Sequence, residues 1–217
     1  MSNSELFTYI STQTVERYSK RFLELGVDVR SLGWGSSSQQ IARFQNLTNT
    51  LDLSKKTILD IGCGFGDLLE YIEQENIPIA GYFGWDINRE FIDVASRKYQ
   101  MTSAEFLVRD ILNDRPKASE ADVGIMLGLL NYNYGNPEAN IAFTKQMLCN
   151  AFRTVDYCLF VDFISSHRDP AYPQEDFIHY HDPASILELG LSMTPHVRLL
   201  HDYAPIPQKE FSLILYK

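Results

Sequence analysis

Apolar residues recur at helical spacing over residues 5–25, where Leu6, Tyr9 and Ile10 are followed by Tyr18, Phe22 and Leu25. Ser4 stands ahead of them as an expected N-cap. Gly26 and the run Gly33-Trp34-Gly35 break this pattern, and Ser36-Ser37-Ser38 then cap a second helix through Ile41, Phe44 and Leu47. From Thr57 the texture changes to short apolar runs alternating with amphipathic ones. These predict strands over 57–61, 80–85, 104–109, 122–127 and 157–164, with helices over 66–74, 89–99 and 138–154. Strands that alternate with helices require crossover connections, hence a mostly parallel sheet covered on both faces.

The last third differs. Residues 165–181 are rich in Pro, His and aromatics and read as a long loop. Asp182-Pro183 offers an N-cap followed by proline in the first turn, for a helix over 184–189 that Gly190 should end. Two further strands follow, over 194–200 and 210–216. Only a turn at 203–208, with Pro205 and Pro207, separates them, which is too short for a helical crossover, so the pair should be antiparallel. The expected architecture is a single α/β domain over 1–217. It is a three-layer sandwich with a mostly parallel seven-stranded sheet, an antiparallel last strand and an N-terminal helical cap (1–53 the cap, 54–217 the core).

Composition narrows the function. The chain has 217 residues, 45% hydrophobic and 22% charged, as expected of a globular protein with a real core. No apolar run approaches the roughly 18 residues of a membrane span. The first residues, MSNSELFTYI, lack a basic stretch followed by an apolar one, so secretion is not expected. Cys63, Cys149 and Cys158 are too scattered for a disulfide framework or a zinc site. A net charge of −9 disfavours a nucleic-acid partner, which leans on a basic surface. A cytoplasmic protein, monomeric or homodimeric, acting on a small molecule is the expectation.

The candidate chemistry begins where the first strand runs into Asp60-x-Gly62-x-Gly64-x-Gly66. Glycines here let the backbone approach a ligand and adopt turns closed to residues with a Cβ. A dinucleotide fingerprint needs glycine at the first, third and sixth positions, and counting from Gly62 the sixth is Asp67. No Gly-Lys-Ser/Thr follows, which excludes a P-loop, and Tyr99 lacks the lysine four residues on that a related oxidoreductase would carry. Asp86 ends the second strand in YFGWDI and Asp110 the third in FLVRDI. Carboxylates at the carboxyl ends of parallel strands stand in the crevice where α/β sheets bind ligands, and one of them can accept both hydroxyls of a cis-diol. Alternatively, each caps the helix or turn that follows it.

With these residues the chain resembles the class I S-adenosylmethionine-dependent methyltransferases over about residues 34–164. The resemblance implies that Asp60 orders the glycine loop and that Gly62, Cys63 and Gly64 line the cofactor. It implies that Asp86 meets the ribose and Asp110 the adenine, that Ile87 and Ile111 also bind the cofactor, and that Leu127 and Gly128 give backbone contacts. Arg43, 19 residues before Gly62, would pair bidentately with the cofactor's carboxylate, unless it is a solvated helix arginine. Trp34 would lie over the cofactor or substrate, or else anchor the cap to the core.

On the acceptor side, the fourth strand ends in IMLGLLNYNYG. This departs from the Asn/Asp-Pro-Pro-Tyr/Phe motif of base-methylating enzymes and lacks a Pro-Cys pair, so methylation of nucleic-acid bases loses support. Asn131, Tyr132 and Tyr134 are the first side chains able to face an acceptor, and 165–181 would form the opposite wall with Tyr172, Phe177 and Tyr180. A hydroxyl or protonated amine acceptor needs a base, usually histidine, whereas a carboxylate does not. His167, His179 and His181 are the candidates, with Tyr180 beside them; as a metal pair His179 and His181 lack a third ligand, so no metal is expected. The resulting expectation is O- or N-methylation of a small-molecule acceptor by S-adenosylmethionine. The competing reading is a catalytically silent protein that keeps the cofactor fold for binding or regulation.

Overall fold

The computed structural model describes residues 2–114, 119–168, 170, 172–202 and 209–217. The chain opens with two helices, α1 (Asn3–Leu25) and α2 (Ser37–Thr50). The α1 cap is Ser2 rather than Ser4: its side chain accepts from Glu5 N, and the Glu5 carboxylate accepts from Ser2 N at 2.7 Å. This reciprocal capping box needs an acid three residues after the cap, which Ser2 has and Ser4 lacks. Ser36 caps α2 as expected.

The alternating region follows as β1 (Thr57–Ile61), α3 (Asp67–Gln74), β2 (Gly81–Asp86), α4 (Arg89–Lys98), β3 (Glu105–Val108), β4 (Ala121–Met126), α5 (Pro137–Arg153) and β5 (Val155–Ile164). The chain ends in α6 (Pro183–Leu191), β6 (Val197–Leu200) and β7 (Glu210–Tyr216). One seven-stranded sheet results, ordered β3-β2-β1-β4-β5-β7-β6. The β1, β2, β3, β4 and β5 pairings are parallel, and β7 runs antiparallel to both β5 and β6. The reversed strand is thus wedged between two neighbours of opposite direction, and the order turns back at β1 and β4. That switch point opens a crevice at the strands' carboxyl ends.

Successive β1 side chains serve opposite layers. Leu59 and Ile61 join Phe7, Ile10, Phe143, Met147 and Ile186 of α1, α5 and α6, whereas Ile58 joins Phe44, Leu47, Leu68 and Ile72 of α2 and α3. Gly190 does not end α6, which continues to Leu191. A Cβ at Gly190 would lie 3.0 Å from Leu215 Cδ2, so the missing side chain serves close packing of helix on sheet. The expected turn at 203–208, with Pro205 and Pro207, lies outside the described residues. Among the described residues no helix is long and apolar enough to cross a membrane.

At the centre of β2, Gly84 faces Asp60 of β1 and Phe106 of β3. A Cβ there would stand 2.5 Å from Phe106 Cδ1 and 2.9 Å from Cys63 Sγ. Gly84→Ala is therefore expected to overpack the sheet and to destabilise by about 1–3 kcal/mol, read as a lower urea midpoint at unchanged slope. An unshifted midpoint would mean that the Phe106 ring swings away without penalty.

Candidate functional site

Beyond Ile61 the chain turns into α3 through Gly62, Gly64 and Gly66, with φ of 81°, 55° and 78°. All three lie in the left-handed region that glycine adopts at no steric cost. Gly62 N and Cys63 N donate to Trp85 O at 2.7 and 3.0 Å, tying the loop to the end of β2. The buried Asp86 carboxylate completes the tie, accepting from Gly64 N at 3.0 Å and from Asn88 N at 2.8 Å. Burial pushes Asp86 up to about 6, with backbone donors opposing. Asp60, also buried, accepts from the Tyr82 hydroxyl. Burial drives it up to about 7; the Tyr82 bond opposes this, and the charges of Asp86 and Asp67 add to it.

The two strand-end acids of the sequence reading are both engaged as local caps. Asp86 caps the turn into α4 while also holding the glycine loop. Asp110 Oδ1 accepts from Leu112 N at 3.1 Å, and Oδ2 accepts from Asn113 Nδ2 at 2.7 Å. The same amide reaches Ser11 Oγ on α1. Ile87 follows Asp86 half-buried and Ile111 follows Asp110 buried.

Three side chains from two chain segments cover the glycines. Leu32 Cδ2 lies 2.8 Å from where a Cβ of Gly64 would be, and Leu129 Cδ1 the same distance from that of Gly62. The Trp34 ring comes within 2.5 Å of the corresponding point on Gly128, whose φ is 69°. Trp34 also stacks on the Arg43 guanidinium, 4.6 Å from its centroid. Arg43 is buried, so the solvated-helix reading of it does not hold. Its guanidinium turns inward, donating to Gln39 O and to Glu210 of β7, with Nε in an ion pair 3.3 Å from Asp162 of β5. Asp162 in turn accepts from Gly128 N at 2.6 Å. Leu127 and Gly128 are thus placed by an acid that sequence reasoning passed over; its one signal was a charge inside the apolar strand LFVDFI.

Across the crevice, the segment after β4 pairs with 165–181. Tyr132 bridges Ile178, Asn133 N donates to Phe177 O at 2.9 Å, and His179 N donates to Asn131 O at 2.9 Å. Asn131 Oδ1 accepts from Ile164 N, so its side chain ties the loop to β5. The expected acceptor walls are therefore adjacent, although Phe177 is exposed and Tyr172 O is taken by Arg168.

The histidines and Tyr180 are more committed than expected. The Tyr180 hydroxyl accepts from Glu175 N at 3.0 Å and pins its own loop. His167 is exposed and stands 4.0 Å from Asp182 and beside His201, not with the other two. His181 is buried, with Nε2 3.0 Å from Leu130 O; burial, chiefly, lowers it to about 3, so it is neutral and its ring proton faces that carbonyl. His179 Nδ1 lies 3.3 Å from Asn140 Nδ2. The Asn140 amide is oriented by Tyr134 N on its oxygen and Asn133 Oδ1 on its nitrogen, so it offers an N–H to His179. That bond assigns the His179 ring proton to Nε2. Neither nitrogen is then a free base.

Helix α1 lies across this edge. Thr14 Oγ1 and Tyr134 Oη are 3.4 Å apart, Arg17 sits over the Tyr132 ring, Ser19 donates to Glu90 at 2.6 Å, and Phe22 packs on Phe65 and Phe91. These contacts span from the β4 loop to the start of α4. Among the described residues no cluster of three or more His, Cys, Asp or Glu could hold a metal.

Residues 58–149 match the family model described as a methyltransferase domain. Over these residues the chain is similar to a methyltransferase domain. A Mycobacterium tuberculosis protein provisionally named a methyltransferase is 28% identical over 167 residues, covering 74% of this chain and 93% of the relative. The same fold occurs in the magnesium protoporphyrin IX methyltransferase of Synechocystis PCC 6803, solved with bound S-adenosylhomocysteine, at a TM-score of 0.59 and 14% identity over 100% of both chains. The small RNA methyltransferase HEN1 aligns with 82% of this chain and 25% of its own, at a TM-score of 0.61 and 14% identity. The fold of this chain is thus shared by proteins named for very different acceptors.

Asp60 makes the site's electrostatics measurable. Its folded pKa, about 7, lies above the ordinary 3.8, so its stability contribution is fully present below about pH 4 and is lost as pH rises through 7. Asp60→Asn removes that loss. Relative to the parent, the variant is expected to gain stability between pH 4.5 and 8 by at most about 4 kcal/mol, one pKa unit being about 1.4 kcal/mol. Parallel urea titrations at the two pH values check this, and a pH-independent difference would place the ionised carboxylate in water.

Proposed function

We propose that this methyltransferase moves the methyl group of S-adenosylmethionine to an oxygen or nitrogen of a small molecule held between the β4 edge, α1 and segment 165–181. The observation that carries the reading is Asp86. It is buried at the carboxyl end of β2, and Gly64 and Asn88 take one position on each of its oxygens. A carboxylate offers about four acceptor positions, and those left open by these donors and by Ile87 N–H suit the hydroxyls of a ribose. The chain's residues fit the cofactor in two other respects. Asp60 and Asp86, raised by burial, gain from a ligand that brings an ammonium and hydroxyl donors to them. The faces of Gly62, Gly64 and Gly128 lack a Cβ, and the Leu129, Leu32 and Trp34 side chains on them are apolar covers suited to close over an aromatic ligand.

When bound, the cofactor supplies a methyl on a sulfonium, already electrophilic enough for in-line displacement. What remains for the protein is alignment, worth up to roughly 7–11 kcal/mol. In this reading the glycine loop and Asp86 fix the donor, Asp110 and Ile111 border the adenine, and Leu127 and Gly128, placed by Asp162, hold the methyl's side of the crevice. Asn131, Tyr132 and His179 then position the acceptor. A net charge of −9 supports a small acceptor over a polyanion.

S-adenosylhomocysteine is expected to raise the melting temperature and NAD is not. A ligand at 100 times its dissociation constant stabilises by about 2.7 kcal/mol. Asp86→Ala should weaken the homocysteine adduct's binding by ten-fold or more, since each charged hydrogen bond is worth about 1.5–3 kcal/mol. Calorimetry reads both. An unchanged dissociation constant in the variant would confine Asp86 to its capping role.

A further inference from the structure

We infer that the methyl acceptor is an aromatic carboxylate, recognised by Arg17 and Arg21 of α1 and methylated on its carboxylate oxygen. The inference rests on the donor assignment above and names the acceptor class for the same site.

The first observation is charge. Arg17 and Arg21 lie one helical turn apart on the face of α1 that crosses the strand ends. The Arg17 guanidinium carbon sits 3.0 Å from the Tyr132 ring centroid and 5.9 Å from that of Tyr18. Arg21 Nη1 and Tyr18 Oη lie 3.5 and 3.4 Å from the point a Gly33 side chain would occupy, beside Trp34. Both arginines are half-buried, and among the described residues neither donates to a side chain or pairs with a carboxylate. A guanidinium stacked on a ring through its face keeps its in-plane donors for a bidentate anion. In a chain with nine more acids than bases, Arg17 stacked on Tyr132 at the strand ends, with Arg21 one turn further along α1, is poised for an anion brought from outside.

The second observation concerns the walls. Tyr18, Tyr132 and Tyr134 surround Arg17, with Tyr132 and Tyr134 edge to face at 5.1 Å. Flat aromatic surfaces beside a guanidinium suit an acid whose body is a ring.

The third is the lack of a base. Tyr180 and His181 are committed to hydrogen bonds within the protein, and His179 accepts from Asn140 at Nδ1 and carries its proton on Nε2. His167 stands apart from them, beside Asp182 and His201, so a hydroxyl or ammonium acceptor between α1 and the β4 edge would need one of these three to take a proton. A carboxylate needs none: its oxygen lone pair forms the C–O bond as the C–S bond breaks, the electron pair goes to sulfur, and no proton moves. The products are a methyl ester and S-adenosylhomocysteine.

The test uses the full chain saturated with S-adenosylhomocysteine, titrated calorimetrically with benzoate, 4-hydroxycinnamate and indole-3-acetate and with the methyl ester of each. At least one acid is expected to bind ten-fold or more tightly than its ester. Arg17→Gln should abolish that preference while leaving S-adenosylhomocysteine binding within two-fold. With labelled S-adenosylmethionine, the product of that acid should release its methyl as methanol in mild alkali. Equal binding of acid and ester, no binding of any acid, an unchanged preference in Arg17→Gln, or an alkali-stable product each overturns the inference. Failure of S-adenosylhomocysteine itself to bind would instead overturn the donor assignment beneath it.

Discussion

A guanidinium buried between two carboxylates fixes how the N-terminal helices sit on the sheet. Arg43 of α2 meets Asp162 of β5 and Glu210 of β7, all three buried. Such a cluster gains little over an apolar one, because desolvation offsets most of the attraction; breaking it is the costly event, about 3–5 kcal/mol for a buried charge left alone. Its worth is therefore geometric. Alternative seatings of α2 would strand two acids in the core. Asp162 passes the constraint to Gly128, whose N–H it accepts, and Trp34 passes it back by stacking on Arg43 over the same glycine. The loop after β4 is held from both sides.

The other half of the crevice is built on acids kept where they are electrostatically uncomfortable. Asp60 and Asp86 sit at the ends of adjacent strands, both raised by burial, and the charge of Asp86 raises Asp60 further. A protein optimised for stability alone would replace one of them. Their persistence is explained if a ligand supplies the missing donors, and sites that perturb carboxylates through desolvation and like charge are where binding chemistry is concentrated. Asp86 also has a structural place, because among the described residues it is the carboxylate that answers the N–H of Gly64, held in a left-handed turn.

Much of this was legible in the sequence, and the exceptions share a cause. Strand β1 and the glycine turn were plain because five apolar-rich residues run directly into Gly62, Gly64 and Gly66. The antiparallel β6–β7 pair followed from the shortness of its connection. Gly190 misled because a glycine that permits close packing looks the same as one that ends a helix. Arg43 was found as a residue of interest but with the wrong company, since its partners lie at positions 162 and 210 and no local pattern announces them. The His179 tautomer was likewise beyond reach: it depends on an amide 39 residues away.

The largest thing hidden from the sequence was the path of α1. Its periodicity shows which face is apolar, not what that face meets. In the fold it spans the mouth, through contacts separated by 71 residues from Ser19 to Glu90 and by 120 from Thr14 to Tyr134. A helix so placed touches both the glycine-loop end and the segment after β4 that pairs with 165–181. Under the function proposed above, the sheet would hold one donor chemistry unchanged while substitutions on α1 altered which acceptor fits, because α1 contributes no strand, no glycine turn and none of the buried acids. Specificity built this way would be separable from the fold, since a shared architecture does not by itself fix the acceptor.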